Sequence, residues 1–190
     1  MSVKQLSSQH QARLSLLEKT IPLVSYRLDS DELSIYVKHE DLIPALMILK
    51  NHIGFRYNLL TCVSGVDFPG YDYRFCVVYD LLSITHNHRI RVKTFVTEIE
   101  TANLHSATAV FECASWWERE VWDMYGIYFR GHPDLRRILT DYGFEGHPLR
   151  KDFPLSGYFE ARYDQNKKRV VFDPVEFAQE YRSFNYEMPW

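Results

Sequence analysis

The densest group of reactive side chains in the sequence lies between residues 118 and 152. It includes the carboxylates and histidines Glu118, Glu120, Asp123, His132, Asp134, His147 and Asp152. Such groups can bind a divalent metal ion that activates water, so a free-standing metal-dependent hydrolase is one interpretation. Its site would be built from Glu120, Asp123, His132 and His147. The spacing is poor for that chemistry, because the histidines are far apart and interspersed arginines would neutralise the carboxylates in structural ion pairs.

A short motif occurs twice in this region, as Gly131-His-Pro-Asp-Leu-Arg-Arg137 and as Gly146-His-Pro-Leu-Arg-Lys-Asp152. Each copy places a glycine and a proline around a histidine and then presents two cations. Because proline disfavours helix in the residue before it, both copies are expected to form extended turns. Such turns either satisfy their own backbone locally or direct the histidine and cations outward. Paired cations favour the second arrangement, against a carboxylate-lined partner surface.

Other kinds of site find no support in the sequence. It contains no Gly-x-Gly-x-x-Gly or Gly-x-x-x-x-Gly-Lys-Ser/Thr loop for phosphates and no Gly-x-Ser-x-Gly nucleophile motif. Cys62, Cys76 and Cys113 form no Cys-x-x-Cys pair, so this chain alone cannot supply the ligands of an iron–sulfur cluster or structural zinc site. The net charge of −3 argues against nucleic acid binding, and the longest mainly apolar stretch is too short to span a bilayer.

The amino-acid composition changes near residue 130. Leu, Ile, Val and Met make up 38 of the first 130 residues but nine of the last 60, whereas aromatic residues go from 17 of 130 to 12 of 60. Aliphatic side chains fill independent cores, while aromatic and arginine side chains are enriched at interfaces. The sequence therefore predicts a core domain over residues 1–130 and an extended partner-binding C-terminal arm over residues 131–190. The alternative is a surface tail that packs on its own domain.

Periodicity predicts the elements of the core domain. Strand-like patterns cover residues 33–37, 57–66, 73–84 and 88–96. An amphipathic helix is expected from the spacing of Leu6, Leu14, Leu17 and Ile21. A second helix would be capped by Asp41 and would end near Ile53. Together these elements predict an α+β fold: a small mixed β-sheet with helices packed on it, followed by an arm with little regular structure.

A third helix is expected over residues 115–125. Ser115 and Glu118 have the spacing of a capping box, and a glycine follows at 126 as a stop signal. Arg119 and Asp123 have the i,i+4 spacing of an ion pair. Apolar residues lie on more than one side, so we expect this helix to be buried between the sheet and another part of the structure.

Three sequences in this region carry a resemblance. They are Trp116-Trp-Glu-Arg-Glu-Val-Trp-Asp-Met-Tyr-Gly126, Gly131-His-Pro-Asp-Leu-Arg-Arg-Ile-Leu139 and Gly146-His-Pro-Leu-Arg-Lys-Asp-Phe-Pro154. Together they closely resemble the 30-kDa subunit family of respiratory complex I, in its mitochondrial form. The resemblance is strong over residues 113–163, weaker over 51–96 and slight before that, and Asp173-Pro174 stands where Glu-Pro is commoner.

The resemblance implies a cofactor-free structural or assembly subunit of NADH:ubiquinone oxidoreductase, in the quinone-reducing module of the peripheral arm. Such a subunit supports electron transfer from NADH to ubiquinone coupled to proton translocation without a catalytic site of its own. FMN and iron–sulfur clusters are then expected in partner subunits. The implied partners are the 49-kDa subunit and the cluster-bearing subunits of the quinone module. The implied location is the matrix side of the mitochondrial inner membrane, and the lack of a recognisable presequence fits a subunit made inside the organelle.

We expect the arm to bind its partners through cations that contact carboxylates or carbonyls and through aromatic anchors that occupy grooves. The predicted interface residues are His132, Arg136, Arg137, Tyr142, Phe144, His147, Arg150, Lys151, Phe153 and Tyr158. Four residues of the third helix are expected to fix the point where the arm leaves the domain. These are Glu118, Arg119, Trp122 and Asp123.

Overall fold

A computed structural model describes residues 8–29, 32–97, 104–180, 182 and 184. The chain divides into two compact units, residues 1–152 and residues 153–190. The first unit contains α1 (Ser8–Thr20), β1 (Ser25–Asp29), β2 (Glu32–Tyr36), α2 (Leu42–Asn51), β3 (Leu59–Asp67), β4 (Phe75–Ser83), β5 (His88–Val96) and α3 (Ala114–Tyr125). Short 3-10 helices over His39–Asp41 and Ala107–Ala109 precede α2 and α3.

The five strands of the first unit form one mixed sheet in the order β1-β2-β5-β4-β3. The pairs β1–β2, β3–β4 and β4–β5 are antiparallel, whereas β2 and β5 run parallel. Together with the three helices, this sheet confirms the predicted α+β fold class. None of the helices in the described residues is long and apolar enough to cross a membrane.

The helices cover one face of the sheet. Leu17 of α1, Leu46 of α2 and Val121 of α3 belong to one buried cluster with Val63 and Tyr79, which lie opposite each other on β3 and β4. Successive side chains of a strand point to opposite faces, so residues such as Asp80 lie on the face away from this core. The core thus fixes α3 against the central strands.

A glycine on β3 allows α3 to approach the sheet closely. A Cβ atom at Gly65 would lie 2.6 Å from Cδ2 of Tyr125, in the last turn of α3. Real Cβ atoms do not come so near another carbon, so any larger residue at this position would push the helix away. Gly65 therefore sets the position of the end of α3, from which the candidate site is built.

Several local predictions differ from the structure. Helix α2 begins after a 3-10 turn and ends at Asn51, and the Asp41 side chain makes no capping hydrogen bond. No residue range was predicted for strand β1. Leu14 and Leu17 of α1 and Ile21, just after the helix, are buried as expected, while Leu6 lies outside the described residues.

The boundary between the units lies at Asp152, not at the predicted position 130/131. The reason is that the backbone and polar side chains of residues 131–152 hydrogen-bond to α3 and β3, which composition does not reveal. The second unit contains an antiparallel pair, β6 (Phe159–Asp164) and β7 (Arg169–Pro174). The predicted arm therefore holds more regular structure than expected.

Candidate functional site

The carboxyl end of α3 is the centre of the candidate site. Gly126 ends the helix with a left-handed φ of 74°, and its N–H donates to the Trp122 carbonyl at 2.8 Å. A Cβ atom here would lie 2.5 Å from Nε2 of His147 and 2.6 Å from Nη2 of Arg150. Glycine is thus required both by the backbone conformation and by the second copy of the Gly-His-Pro motif, which packs directly on the helix end.

The second motif caps the last carbonyls of α3. Three donors of the motif bind three successive carbonyls of the helix. His147 Nδ1 donates to the Asp123 carbonyl at 3.0 Å and the Leu149 N–H to the Met124 carbonyl at 3.1 Å. Arg150 Nε donates to the Tyr125 carbonyl at 2.6 Å. The final turn of a helix leaves its carbonyls without partners inside the helix, so an external donor for each one stabilises both elements. The motif therefore acts as a cap for α3.

The surroundings of the His147 imidazole favour its neutral form. Burial lowers its pKa, and the nearby positive charges of Arg150 and Arg137 lower it further, against the opposing effect of the hydrogen bond to the Asp123 carbonyl. The ring also makes an edge-to-face contact with Trp122, with the centroids 5.6 Å apart. Trp122 thus helps to hold the segment that leaves the helix.

The carboxylate of Asp123 binds the loop that follows the first motif. Its Oδ2 accepts the backbone N–H groups of Ile138 (3.2 Å), Leu139 (2.8 Å) and Thr140 (2.9 Å). Its Oδ1 accepts the Thr140 hydroxyl at 2.6 Å and lies 3.2 Å from Nη1 of Arg137. Burial alone would raise the pKa of this carboxyl, but the hydrogen bonds from Thr140, Leu139 and Ile138 hold it below its ordinary value. A buried charge is thereby paired and the loop backbone is fixed.

Arg119, one helical turn before Asp123 in α3, binds the same loop. Its Nε donates to the Arg136 carbonyl at 3.2 Å, and its guanidinium lies 5.4 Å from the centroid of the Trp116 ring. The predicted Arg119–Asp123 ion pair is wrong, because each of the two side chains instead binds the loop over residues 136–140. One face of α3 therefore presents a cation to the carbonyls and an anion to the N–H groups of this loop.

Glu118 is completely buried at the start of α3. Its two oxygens accept the Ser106 hydroxyl at 2.6 Å and the Ala107 N–H at 2.7 Å. The predicted Ser115–Glu118 capping box is therefore wrong: α3 begins at Ala114, and Glu118 binds the preceding 3-10 turn instead. Burial raises the pKa of Glu118 to about 7, despite the two hydrogen bonds. Burial raises the pKa of the Tyr79 hydroxyl on β4, and the nearby charge of Glu118 raises it further.

His132 of the first motif lies beside Glu118. Its side chain is buried, with Nε2 4.0 Å from the Glu118 carboxylate and 3.0 Å from the Ser115 carbonyl. Its Nδ1 accepts the N–H of Asp134 at 3.1 Å, so Nε2 carries the proton and donates to Ser115. The expectation that both motifs direct their histidines outward is wrong, because both rings bind carbonyls of α3.

The end of the first unit is attached to β3 by a third buried carboxylate, that of Asp67. Asp67 accepts Nε of Arg74 at 2.9 Å and the backbone N–H of Lys151 at 2.8 Å. Arg74 also binds Asp152 through Nη2 at 2.8 Å. Burial would raise the pKa of Asp67, but the hydrogen bonds from Arg74 and Lys151 keep it below its ordinary value. Residues 131–152 are thus held at both ends.

The predicted interface residues differ in how they are placed. Arg137 and Arg150 bind groups within the first unit, and Phe144 is half-buried with the Arg137 guanidinium 5.9 Å from its ring centroid. Arg136 is exposed and pairs with Asp134 at 2.8 Å, while the Lys151 side chain is also exposed.

Tyr142 is fully exposed. In the second unit, Phe153 is half-buried and makes an edge-to-face contact with the exposed Tyr158, at 5.5 Å between centroids. That these residues contact a partner stays a prediction.

The geometry does not support a metal-dependent hydrolase. His132 binds the carbonyl of Ser115 and His147 that of Asp123, two positions separated by about 12 Å along the axis of α3. Across the ranges that the structure describes, no three His, Cys, Asp or Glu side chains form a group able to hold a metal ion. Of the two carboxylates proposed for that chemistry, Asp123 binds backbone N–H groups and the Thr140 hydroxyl instead.

Sequence reasoning missed several residues of this site. The missed residues Ser106, Ala107, Thr140, Asp67 and Arg74 belong to the three networks around the buried carboxylates of Glu118, Asp123 and Asp67. Backbone N–H groups occur at nearly every position, so those that bind Asp123 leave no signal in the sequence. Asp67 begins the turn that the sequence predicts over residues 67–72 and Arg74 follows it, but the turn prediction did not include their pairing.

A further surface was also missed. An open groove of about 780 Å³ is lined mainly by aromatic and aliphatic side chains. Among its residues are Tyr36, Phe68, Tyr71, Tyr73 and Phe95. The sequence predicts residues 67–72 only as a turn, and the structure shows that this turn also displays two aromatic rings beside the sheet.

Comparison with known proteins relates the chain to one family. The model of the respiratory-chain NADH dehydrogenase 30-kDa subunit family matches residues 35–159. NADH-ubiquinone oxidoreductase subunit 9 of Reclinomonas americana is 56% identical over 159 residues, which are 84% of this chain and 77% of that protein. The mitochondrial NADH dehydrogenase [ubiquinone] iron-sulfur protein 3 of Candida albicans is 52% identical over 154 residues, covering 81% of this chain and 54% of that protein.

A solved structure shares the fold. A chain of the membrane-bound sulfane sulfur reductase, an archaeal respiratory membrane complex, superposes with a TM-score of 0.66 at 23% identity, over 87% of this chain and 100% of that one. At this identity the likeness shows the fold alone. The family match covers α3, both Gly-His-Pro motifs and the buried carboxylates that hold them. The chain therefore belongs to the 30-kDa subunit family of respiratory-chain NADH dehydrogenase, which is complex I.

Proposed function

We propose that the chain is a non-catalytic structural subunit of NADH:ubiquinone oxidoreductase. In this role it occupies the quinone-reducing module of the peripheral arm, on the matrix side of the mitochondrial inner membrane. Its partners there are the 49-kDa subunit and the cluster-bearing subunits of the module. The names of its relatives and the sequence resemblance over residues 113–163 support this assignment. FMN and the iron–sulfur clusters then belong to partner subunits.

The donor set of the chain does not fit an iron–sulfur cluster, although one relative carries that term in its name. A cluster is normally held by about four converging cysteine thiolates. This chain has three cysteines. Cys62 on β3 is half-buried, Cys76 on β4 is buried, and Cys113, just before α3, is exposed. Burial raises the pKa of the Cys76 thiol to about 12, which keeps it protonated and a poor ligand. These observations support a scaffold without a cluster.

The observation that carries the proposal is the way residues 131–152 are built. Buried carboxylates and the end of α3 fix the backbone of this segment, while Leu139 and Tyr142 remain exposed, at 61% and 101% of their maximal accessible surface. Exposed apolar side chains on a rigid backbone lose little entropy on binding, which is the property of a preorganised protein interface. A segment held in this way suits the binding of a partner subunit.

A variant with Leu139→Ser and Tyr142→Ser tests the proposal. A tagged full-length chain would replace the native subunit in cells, and the assembled complex would be quantified by native gel electrophoresis and by its NADH:ubiquinone activity. We expect at least tenfold less assembled complex, because each exposed anchor contributes upwards of about 1 kcal/mol to binding. The turnover of each complex that does assemble should equal that of the wild type, since the residues only hold the partner.

The control is Ile84→Ser, which changes a residue that is 70% exposed in the turn between β4 and β5. It should leave assembly unchanged. Normal assembly of the double variant would overturn the proposed interface. Normal assembly with reduced turnover per complex would overturn the non-catalytic role instead.

A further inference from the structure

Two hydroxyl groups beside the 3-10 helix that precedes α3 connect the buried carboxyl of Glu118 with the surface. Ser106 Oγ lies 2.6 Å from Glu118 Oε2 and 2.7 Å from Thr108 Oγ1, so the three groups form one chain of short hydrogen bonds. Glu118 is completely buried, whereas Thr108 is partly exposed. A proton can transfer between groups that lie within about 2.6–3.2 Å of each other. The chain therefore has the spacing needed to move a proton between the interior and solvent.

When Glu118 is ionised, every hydrogen-bonding position of the Ser106 hydroxyl is used. A hydroxyl group has one hydrogen to donate and two lone pairs that accept. Ser106 donates its hydrogen to Glu118 Oε2, while its oxygen accepts the Thr108 N–H at 3.2 Å and the Thr108 O–H. Both hydroxyl hydrogens of the chain then point toward the carboxylate.

When Glu118 is protonated, the same groups are satisfied with the hydroxyl hydrogen bonds reversed. The carboxyl O–H donates to Ser106 Oγ, the Ser106 O–H donates to Thr108 Oγ1, and the Thr108 O–H donates to water. The N–H groups of Ala107 and Thr108 keep their acceptors in both forms. In passing from one form to the other, each hydroxyl oxygen gains one proton and gives up another. The net change is that Glu118 loses a proton and a water molecule gains it.

The other polar neighbours of Glu118 among the described residues offer no comparable path. Nε2 of His132 lies 4.0 Å from Glu118 Oε2, too far for a hydrogen bond, and it donates to the Ser115 carbonyl. The other nitrogen of this ring accepts a backbone N–H. The Tyr79 hydroxyl, on β4, is buried without a hydrogen-bond partner in the described part of the chain, and burial raises its pKa well above the ordinary value. Ser106 is thus the neighbour suited to exchange a proton with Glu118.

The two forms of the chain are both accessible near neutral pH. Burial raises the pKa of Glu118 from 4.5 to about 7, so the protonated and the ionised carboxyl are populated together in this range. The titratable side chains that face it are His132, from the first Gly-His-Pro motif, and Tyr79, from β4. A carboxyl that changes its protonation state while it is buried needs a path by which the proton enters and leaves.

We propose that Ser106 and Thr108 form a hydroxyl relay that carries a proton between the buried carboxyl of Glu118 and solvent. The start of α3 is thereby a site that takes up and releases one proton while its hydrogen bonds are kept. This role goes beyond the proposed function as a structural subunit and requires no partner, so it can be tested in the chain by itself.

The rate of proton exchange at Glu118 tests the relay in the full-length chain. NMR signals of the glutamate carboxyl carbons would be recorded near the pH midpoint of Glu118, and Glu118→Gln would identify its signal. Thr108→Val removes the second hydroxyl but keeps the size of the side chain and the N–H that binds Ser106. A positioned group that transfers a proton accelerates a reaction by roughly 10²–10⁴-fold, so exchange in this variant should slow by about tenfold or more. The averaged signal of Glu118 then broadens or separates into two.

Thr108→Ser is the matched control, because it keeps the hydroxyl and loses only a methyl group. It should exchange at the wild-type rate. Wild-type exchange in Thr108→Val would overturn the relay. Equal slowing in both Thr108 variants would show that packing and not the hydroxyl limits exchange, which also overturns it.

Two further measurements complete the test. Ser106→Ala removes the first hydroxyl and should slow exchange as Thr108→Val does, whereas a wild-type rate would exclude Ser106 from the path and overturn the relay. The Thr108 pair decides the matter if Ser106→Ala does not fold. A Glu118 signal that keeps one form throughout the neutral pH range would show that no proton is exchanged there, which overturns the inference and leaves the structural role in the complex untouched.

Discussion

A Cβ atom on Gly126 would lie 2.5 Å from Nε2 of His147, although the two residues are far apart in sequence. The close approach is possible because Gly126 has no side chain and because its φ of 74° turns the chain at the end of α3. The end of the helix and the second Gly-His-Pro motif therefore form one packed unit, and their contact can be tested directly.

Gly126→Ala should destabilise the first unit strongly. The variant combines a strained left-handed backbone, which costs about 1 kcal/mol, with overpacking against His147 and Arg150, which costs about 1–3 kcal/mol more. We expect the free energy of unfolding in urea to fall by about 2–4 kcal/mol. Gly131→Ala is the matched control, because Gly131 has a similar φ of 80° but no atom within 4 Å of the added methyl group. Equal losses for both variants would contradict the role of the packing contact.

Asp123→Asn should loosen residues 137–140. One of the two carboxylate oxygens becomes an amide nitrogen, which cannot accept the N–H and O–H groups that now converge on it. Removing the acceptor of a buried network costs about 2–4 kcal/mol, measurable by urea unfolding, and should make the loop more sensitive to limited proteolysis. Asp134→Asn changes an exposed carboxylate that pairs with Arg136, and it should leave both readouts as in the wild type.

The effect of Asp123→Asn should also depend on pH. Because the folded pKa of Asp123 lies below its ordinary value of 3.8, its stabilising contribution is fully present above that pH and is lost as the pH falls through the folded pKa. The difference in unfolding free energy between wild type and variant should therefore shrink in strong acid. A difference that stays constant down to the acid unfolding transition would contradict the pairing of this charge.

Glu118→Gln should change the pH dependence in the opposite direction. Burial raises the pKa of Glu118 from 4.5 to about 7 in the folded chain, so the contribution of this group is fully present below pH 4.5 and is lost as the pH rises through about 7. Glutamine cannot ionise and should not show this loss. Relative to wild type, the variant should gain up to about 3 kcal/mol of unfolding free energy between these pH values.

The groups that face Glu118 are Ser106, Ala107, His132 and Tyr79, and none of them is altered in this variant. The exposed Glu112, just before α3, provides the control as Glu112→Gln. Equilibrium unfolding at a series of pH values measures both variants. Parallel curves for wild type and Glu118→Gln across the whole series would contradict a raised pKa.

Gly65→Ala should move α3 away from β3. The added methyl group would meet the Tyr125 ring at 2.6 Å, and overpacking of this kind costs about 1–3 kcal/mol. In a Tyr125→Ala background the same substitution has room, so its cost should fall below about 0.5 kcal/mol. A double-mutant cycle of unfolding free energies measures this coupling. Additive effects of the two substitutions would show that the ring does not limit the approach of the helix.

Much of the fold was predictable because apolar and polar residues alternate along its central strands. Strand β5 occupies His88–Val96, the residues expected from the sequence, and β3 and β4 differ from expectation only at their ends. No range was predicted for strand β1, although Tyr26 and Leu28 alternate with polar residues, because two apolar residues in a five-residue segment give a weak signal; pairing with β2 determines its conformation. Local pattern thus predicted the strands that carry the core and failed at the edge strand that depends on a neighbour.

The sequence indicated where the candidate site lies, but the predicted direction of its side chains was wrong. Glu118, Arg119, Asp123 and the two histidines stood out as chemically unusual, and they do lie at one helix. Their partners are mostly backbone groups, which every residue possesses, so the sequence could not show that these side chains bind inward. The alternative in which the Gly-His-Pro turns satisfy backbone groups lies nearer to the observed geometry than the outward arrangement does.

The parallel pairing of β2 with β5 has a consequence for the order in which the chain folds. Strands β3, β4 and β5 follow one another as an antiparallel meander and can pair as soon as each is synthesised. The β1–β2 hairpin cannot join the sheet until His88–Val96 has left the ribosome, because β5 is its only link to the other strands that the structure describes. Until then its apolar face has no sheet to pack on, which makes the nascent N-terminal segment a candidate client for chaperones.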